Sequence, residues 1–463
     1  MQYLPIHHEN TDPDFAQLSE FIISEMRRLQ VPGVAVGLLH NGRQHLAGFG
    51  VTSVENPLPV TADTLFQIGS TTKTITGTIV MRLVERGQLD LDRPVRDYLP
   101  DLRLRDKEVE ATVTMRHLLT HMGGWTGDFF RETGSGDDCL ARYVAEMAGL
   151  EQVVPVGAIW SYNNAGFGLA GRVIEVVTGR PYEVVAQELV LDPLGMDNSF
   201  FAPADVISRR FAVGHRVDEK EGLVVERPWA LARAANPVGG LCSSARDQLR
   251  YAAFHLGDGA TPDGERLLAP ETMAAMQTPC CPANLGRQMG LSWLLREIDG
   301  TRIVLHGGAT NGQLSAFLFV PSRGFALTVL TNAEEGSMLN DEVTKWALAH
   351  YLDLREPEMN YLTLSDEELA VYAGTYEAQM TTLALVVEDG QMIVRATPKG
   401  GFPDVDSPPS PAPPPSRLAF FAPDAAIALD PPLINMKAEF LQDDQGRVTW
   451  LRTSRLHKKG DRG

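Results

Sequence analysis

Apolar positions along the chain change period several times, and the changes mark its elements. Phe15, Leu18, Phe21, Ile22 and Met26 recur at helical spacing and predict a helix over 13–29. Residues 31–37, the Asn41-Gly42 turn and Gly48-Phe49-Gly50 read as a first hairpin. From Ser70 onward Ile75, Ile79, Val80, Leu83 and Val84 return to three- and four-residue steps, and Gly87 sits where a helix would stop. Phe167, Leu169, Ala170, Val173, Val176 and Val177 predict another helix. The pattern then turns to apolar runs at 290–295, 304–309, 314–320 and 325–330. Turn residues such as Asp299-Gly300 and Ser322-Arg323-Gly324 separate them, so these runs read as antiparallel strands. Val343, Trp346, Ala347 and Tyr351 predict a helix over 339–352 that packs back on the sheet beside the N-terminal helix.

Beyond it the chain divides. The expected boundaries are a first domain over 1–352, a linker over 353–365 and a second unit over 366–463. Short strands at 369–376, 383–388, 391–396, 417–421, 436–441 and 447–452, with turns at Asp389-Gly390 and Gln445-Gly446, predict a small antiparallel barrel. Residues 403–416 are so rich in proline that they cannot join a sheet ladder and are expected as an extended loop.

Three short signals carry chemistry. In the first, Ser70-Thr71-Thr72-Lys73, a helix start places a hydroxyl and an amine three residues apart on one face. Desolvation beside the positive helix end should ease loss of the lysine proton, which makes Lys73 a candidate base for Ser70. A Ser-x-x-Lys match arises roughly once by chance in a chain of this length, and a serine there is equally an N-cap. In the second, Tyr162-Asn163-Asn164, a tyrosine just before a helix can relay a proton, and Asn164 can hold the lysine or a substrate amide. Taken singly it is also a core tyrosine with an asparagine cap. The third is His306-Gly307-Gly308-Ala309 on a strand, where paired glycines permit close approach of a ligand and the Ala309 N–H can join that of Ser70 at an oxyanion. A lone histidine such as His306 is more often structural than catalytic.

In this order and spacing, the three signals resemble the signature of the serine β-lactamase-like superfamily, in the branch holding class C β-lactamases, D-Ala-D-Ala carboxypeptidases, D-aminopeptidases and related esterases. The stretches 31–37, 89–100, 114–121 and 239–247 are similar to that family too, so the likeness covers roughly 15–350. The resemblance implies an α+β, β-lactamase/transpeptidase-like fold: an antiparallel sheet flanked by helices, a helical subdomain, and a C-terminal lipocalin-like barrel. It implies that Ser70 becomes acylated while Lys73 and Tyr162 share base and acid duties, with Asn164 in support. Which of the two is the base is left open. Penicillin-hydrolysing relatives carry a lysine in the third motif, whereas this chain has His306, a weaker carboxylate anchor when neutral. The expected function is therefore a serine hydrolase, a peptidase for D-amino-acid-containing or small peptides. The alternative is a carboxylesterase of small esters with weak or no β-lactamase activity; a non-catalytic binding protein on the same scaffold is a third reading. By analogy with D-aminopeptidase-like enzymes, the loop 403–416 is expected either as a surface loop or as a segment that reaches the cleft and limits substrate size.

Composition narrows the partners. A formal net charge of -18 argues against nucleic acid and anionic membranes, leaving a small-molecule or short-peptide acyl substrate. Residues 1–10 lack a basic segment followed by an apolar run, and the four cysteines form no disulfide framework, so a cytoplasmic enzyme is expected. No cofactor or metal is expected. His117 and His121 are spaced i, i+4, but no convincing third ligand accompanies them.

Overall fold

The computed structural model describes residues 7–8, 12–218 and 220–460. Most of the segment 1–10, read above for a leader, lies outside the described residues.

Alternation in the central strands decides the architecture. Val34, Val36 and Leu38 of strand Gly33–His40 point to one face, as do Phe325, Leu327 and Val329 of its neighbour Phe325–Thr331. Their in-between partners, such as Ala35, Leu39, Ala326 and Leu330, point to the other. Both faces are buried, which is why these strands read as unbroken apolar runs. Among the described residues the sheet has nine strands, with Arg43–Gly50, Gly33–His40, Phe325–Thr331, Gln313–Val320, Thr301–Thr310 and Leu294–Ile298 adjacent in that order and antiparallel throughout.

Helices Pro13–Leu29 and Gly336–Leu352 cover the first face through Phe15, Leu18, Ile22, Val343 and Ala347. Asp12 caps the first of these, its carboxylate accepting the N–H groups of Asp14 and Phe15 at 3.0 and 3.2 Å. Helix Ala245–Leu256 packs directly on the second face, and helices Thr72–Glu85 and Asn164–Thr178, which pack on each other, continue the same core.

Thr72–Glu85 is buried on every side from Thr72 to Leu83, although four of its residues are threonines. Each hydroxyl finds an acceptor: Thr72 gives to Gly69 O (2.7 Å), Thr74 to Thr71 O (2.8 Å), Thr76 to Pro237 O (2.7 Å) and Thr78 to Thr74 O (3.0 Å). Satisfied in this way, the threonines make a polar-looking helix compatible with the core. The rigid start of this helix is what positions Ser70 and Lys73.

Eight strands from Gly374–Glu377 to Leu456–Lys459 close a barrel, with Tyr376 opposite Lys459 at the seam. Leu383, Leu385, Val394, Phe420, Phe440 and Leu451 fill it. Two of these strands, Ala425–Ala428 and Leu456–Lys459, were not expected from the sequence. The expected first strand 369–376 is instead a short helix, Asp366–Ala370, followed by strand Gly374–Glu377. No helix among the described residues is long and apolar enough to cross a membrane.

Candidate active site

Ser70 lies in a single 3-10 turn, Gly69–Thr71, that leads into helix Thr72–Glu85, rather than in the first turn of an α-helix. The reason is steric. Gly69 has φ +50, and a Cβ there would stand 2.6 Å from Ala309 N, so the turn must cross strand Thr301–Thr310 at backbone contact. Gly308 is the reciprocal requirement: its Cβ would stand 1.9 Å from Ile68 O and 2.8 Å from Ser70 N. The contact is pinned by Ser315, whose hydroxyl donates to Ile68 O at 2.8 Å, and by Thr71, whose hydroxyl lies 2.8 Å from that of Ser315. Leu305 pairs with Leu294, but the ladder to that neighbour stops there. The edge from His306 to Thr310 consequently opens on a cavity of about 620 Å³ that Ser70 also lines.

Lys73 Nζ lies 2.9 Å from Ser70 Oγ and donates to Val238 O at 2.7 Å. The lysine is wholly buried. Burial, and then the positive charge of Arg455, hold its pKa well below the usual lysine value. Tyr162 closes the other side, its ring 5.1 Å from Lys73 Nζ. Burial pushes the phenol pKa up, against an opposing pull from the Ser70 hydroxyl, so the phenol stays protonated at neutral pH. Among the described residues no atom reaches full hydrogen-bond geometry with the Tyr162 hydroxyl.

His306 is neutral. Burial, and then Lys73, push its pKa down to about 3. Because the Gly307 carbonyl 2.7 Å away can only accept, Nδ1 carries the ring proton, and Nε2 is left as a buried bare acceptor.

Asn164 does not hold the lysine. Its Nδ2 donates to Asp128 Oδ1 at 2.8 Å. Asp128 in turn accepts from Arg455 Nε at 2.8 Å and Nη2 at 2.9 Å, a two-pronged ion pair. Burial works against both charges, and each partner outweighs it, lowering the Asp128 pKa and raising that of Arg455. The Arg455 guanidinium sits 5.0 Å over the Tyr162 ring. It comes from the turn between the last two barrel strands, as does the Ser454 carbonyl that accepts Tyr162 N–H at 2.8 Å; the next residue, Leu456 at the start of the last strand, donates its N–H to Ser161 Oγ at 3.2 Å.

The structure thus brings Ser70, Tyr162, Asn164 and the 306–309 edge around one cavity, with Lys73 buried behind Ser70, and adds Asp128 and Arg455, which sequence reasoning missed. Neither had a usable signal: both lie in irregular segments, and their pairing exists only once the barrel is docked. The proline-rich loop is divided in its placement. Phe402 meets Phe130 edge-on at 4.9 Å, Val405 N–H donates to Phe130 O at 2.9 Å, and both Phe402 and Pro403 line the cavity. The prolines at 408, 409, 411, 414 and 415 are exposed. His117 and His121 do not converge, for helix Met115–Leu119 ends between them; among the described residues no group of three or more His, Cys, Asp or Glu could hold a metal ion.

An antiparallel sheet flanked by helices, with a serine and a lysine at the start of a buried helix beside an open strand edge, defines the β-lactamase/transpeptidase-like fold of serine hydrolases. The chain belongs to the Beta-lactamase family, whose model matches residues 18–351. It is 34% identical over 357 residues to penicillin-binding protein 4 of Amycolatopsis lactamdurans, covering 75% of this chain and 94% of that protein. A β-lactamase of Providencia stuartii is 28% identical over 243 residues, 52% of this chain and 59% of its own length. Among solved structures, SurE superposes with a TM-score of 0.76 at 24% identity, over 96% of this chain and 99% of its own. The octameric penicillin-binding protein homologue from Pyrococcus abyssi gives 0.65 at 25%, with the same coverage. Both likenesses therefore extend through the barrel, beyond the part matched by the family model.

Proposed function

We propose that this protein is a serine acyl hydrolase that works through a Ser70 acyl-enzyme, and that its substrates are small peptides, including those with D-amino acids. The observation that carries the reading is the 2.9 Å contact between Ser70 Oγ and a lysine that burial and Arg455 disfavour as a cation. A neutral amine there can take the Ser70 proton as Oγ bonds to the substrate acyl carbon. The electron pair displaced to the carbonyl oxygen meets the N–H groups of Ser70 and Ala309, a term worth about 10²–10³ in rate per donor. When the tetrahedral adduct collapses, the acyl–nitrogen bond breaks. Tyr162, kept protonated by burial, delivers its proton to the departing amine and regains one from Lys73. Water then adds to the acyl group by the same relay, its proton passing through Lys73 and Tyr162 to Ser70 Oγ as the ester bond breaks.

Peptides are favoured by Arg455. The neutral His306 is a weak carboxylate anchor, but the Arg455 guanidinium lines the same cavity and, although paired with Asp128, has N–H groups beyond those that Asp128 and Ser454 use. The four free cysteines are consistent with a reducing compartment, and on that ground we place the enzyme in the cytoplasm.

The test is hydrolysis of a D-alanyl anilide beside a short-chain nitrophenyl ester, by wild type and Ser70→Ala. Anilide turnover that disappears in the mutant supports the peptidase. Turnover of the ester alone marks a carboxylesterase, and undiminished turnover by Ser70→Ala overturns the assignment.

A further inference from the structure

Tyr162 has an unusual mount. The three successive N–H groups of residues 161–163 are all bonded outside their own segment: Tyr162 N–H goes to Ser454 O of the barrel, and both flanking groups go to one residue, His121. Ser161 N–H donates to the His121 carbonyl at 3.3 Å, and the His121 ring Nδ1 lies 2.9 Å from Asn163 N and 3.2 Å from Asn163 O, accepting from the first or donating to the second according to its tautomer. Between these two bonds the imidazole lies against the phenol, with ring centroids 4.3 Å apart and planes tilted by 31°. Asn163 then starts the next helix, its side chain accepting Gly166 N–H at 2.8 Å. His121 therefore grips the backbone on both sides of Tyr162 and backs its ring.

Two costs accompany this arrangement. His121 has φ +58, a left-handed backbone that non-glycine residues adopt at a penalty. Nε2 is buried and finds no partner among the described residues, whichever ring nitrogen carries the proton. A phenylalanine would fill the same space and stack on the same ring without that unsatisfied nitrogen. What the imidazole adds is Nδ1, 2.9 Å from Asn163 N and 3.2 Å from Asn163 O, which ties the ring to the Asn163 backbone in either tautomer.

We propose that His121 is a positioning residue for Tyr162, clamping residues 161 and 163 and backing the phenol so that its hydroxyl is directed at Ser70. The proposal rests on the acyl-enzyme reading, in which Tyr162 relays protons. His121 itself touches no reacting atom.

A double-mutant cycle tests it, with His121→Phe, His121→Asn, Tyr162→Phe and the His121→Phe/Tyr162→Phe pair assayed on whichever substrate wild type turns over. His121→Phe keeps a ring and removes the Nδ1 bond to the Asn163 backbone; it is expected to lower kcat by about 10²-fold while KM moves less than about threefold. His121→Asn restores an acceptor, tolerates the positive φ, and should recover kcat to within about fivefold of wild type. In the Tyr162→Phe background, His121→Phe should cost nothing more, because there is no hydroxyl left to aim. Equal losses with and without the Tyr162 hydroxyl, or wild-type kcat in His121→Phe, overturn the proposal. Where His121→Phe does not fold, His121→Leu runs the same cycle with the same two outcomes. A Ser70→Ala control separates the two failures. Full turnover there sinks the acyl-enzyme reading, whereas lost turnover with additive His121 effects sinks only the positioning role.

Discussion

Arg455 holds both oxygens of Asp128 at 2.8 and 2.9 Å, and Asp128 has almost no exposed surface of its own. Arg455→Ala strands that carboxylate. A fully buried pair broken in this way costs about 3–5 kcal/mol. Because 36% of the Arg455 side chain is exposed, about 2 kcal/mol is expected here, read from urea unfolding. The same variant should lose more activity on peptides with a free carboxylate than on neutral esters of similar size.

Lys73 acts as a base only when neutral, and its folded pKa is lowered by burial and Arg455. Activity should therefore rise as pH rises through that lowered pKa and level off above it. Stability follows the same linkage. Between the lowered folded value and about 10.4 the unfolded chain binds the extra proton, so stability rises with pH across that window. Lys73→Met should remove this contribution to the slope and abolish turnover. Urea titrations at several pH values, with wild type and variant in parallel, check both signs.

Gly308→Ala asks for a Cβ 1.9 Å from Ile68 O and 2.8 Å from Ser70 N. The strand must move off the Ser70 turn, separating the two N–H groups assigned to the oxyanion. We expect a loss of about 10²-fold or more in kcat with a smaller change in KM. Steady-state kinetics on the variant, with circular dichroism to show that it folds, would expose the error if kcat were unchanged.

The proline-rich segment should separate into two behaviours. Phe402→Ala removes a wall of the cavity and should raise kcat/KM for bulky acyl groups relative to small ones. Deleting 408–414, where every proline but the half-buried Pro413 is exposed and none lines the cavity, should leave that ratio unchanged. A ratio that shifts only in the deletion would reverse this assignment.

The sequence was most legible where local rules and burial agreed. Helix Pro13–Leu29 follows from its Asp12 cap, its Pro13 start and a clean apolar stripe. The central strands were visible because runs such as Phe325–Thr331 are buried on both faces. The Ser70 turn was misread as α-helix because its 3-10 form is imposed by the strand lying across it, a contact no local pattern encodes. Strands Ala425–Ala428 and Leu456–Lys459 escaped because four residues of Ala-Ala-Ile-Ala or Leu-His-Lys-Lys carry no usable alternation. Ser70, Lys73 and Tyr162 could be named as candidates from three motifs in one order, with their roles supplied by the family resemblance. Asp128, Arg455 and the use made of His121 could not, because each depends on segments far apart in the chain.

The turn that delivers Arg455 and the Ser454 carbonyl sits between the seventh and eighth strands of the barrel. A chain folding from its N-terminus as it leaves the ribosome would thus assemble Ser70, Lys73 and Tyr162 long before the residues that brace them exist. Until the barrel closes, Asp128 has no guanidinium, and Lys73 lacks one of the two influences that lower its pKa. Completion of the barrel is thus the step that gives Asp128 its partner and adds the Arg455 charge to the burial of Lys73.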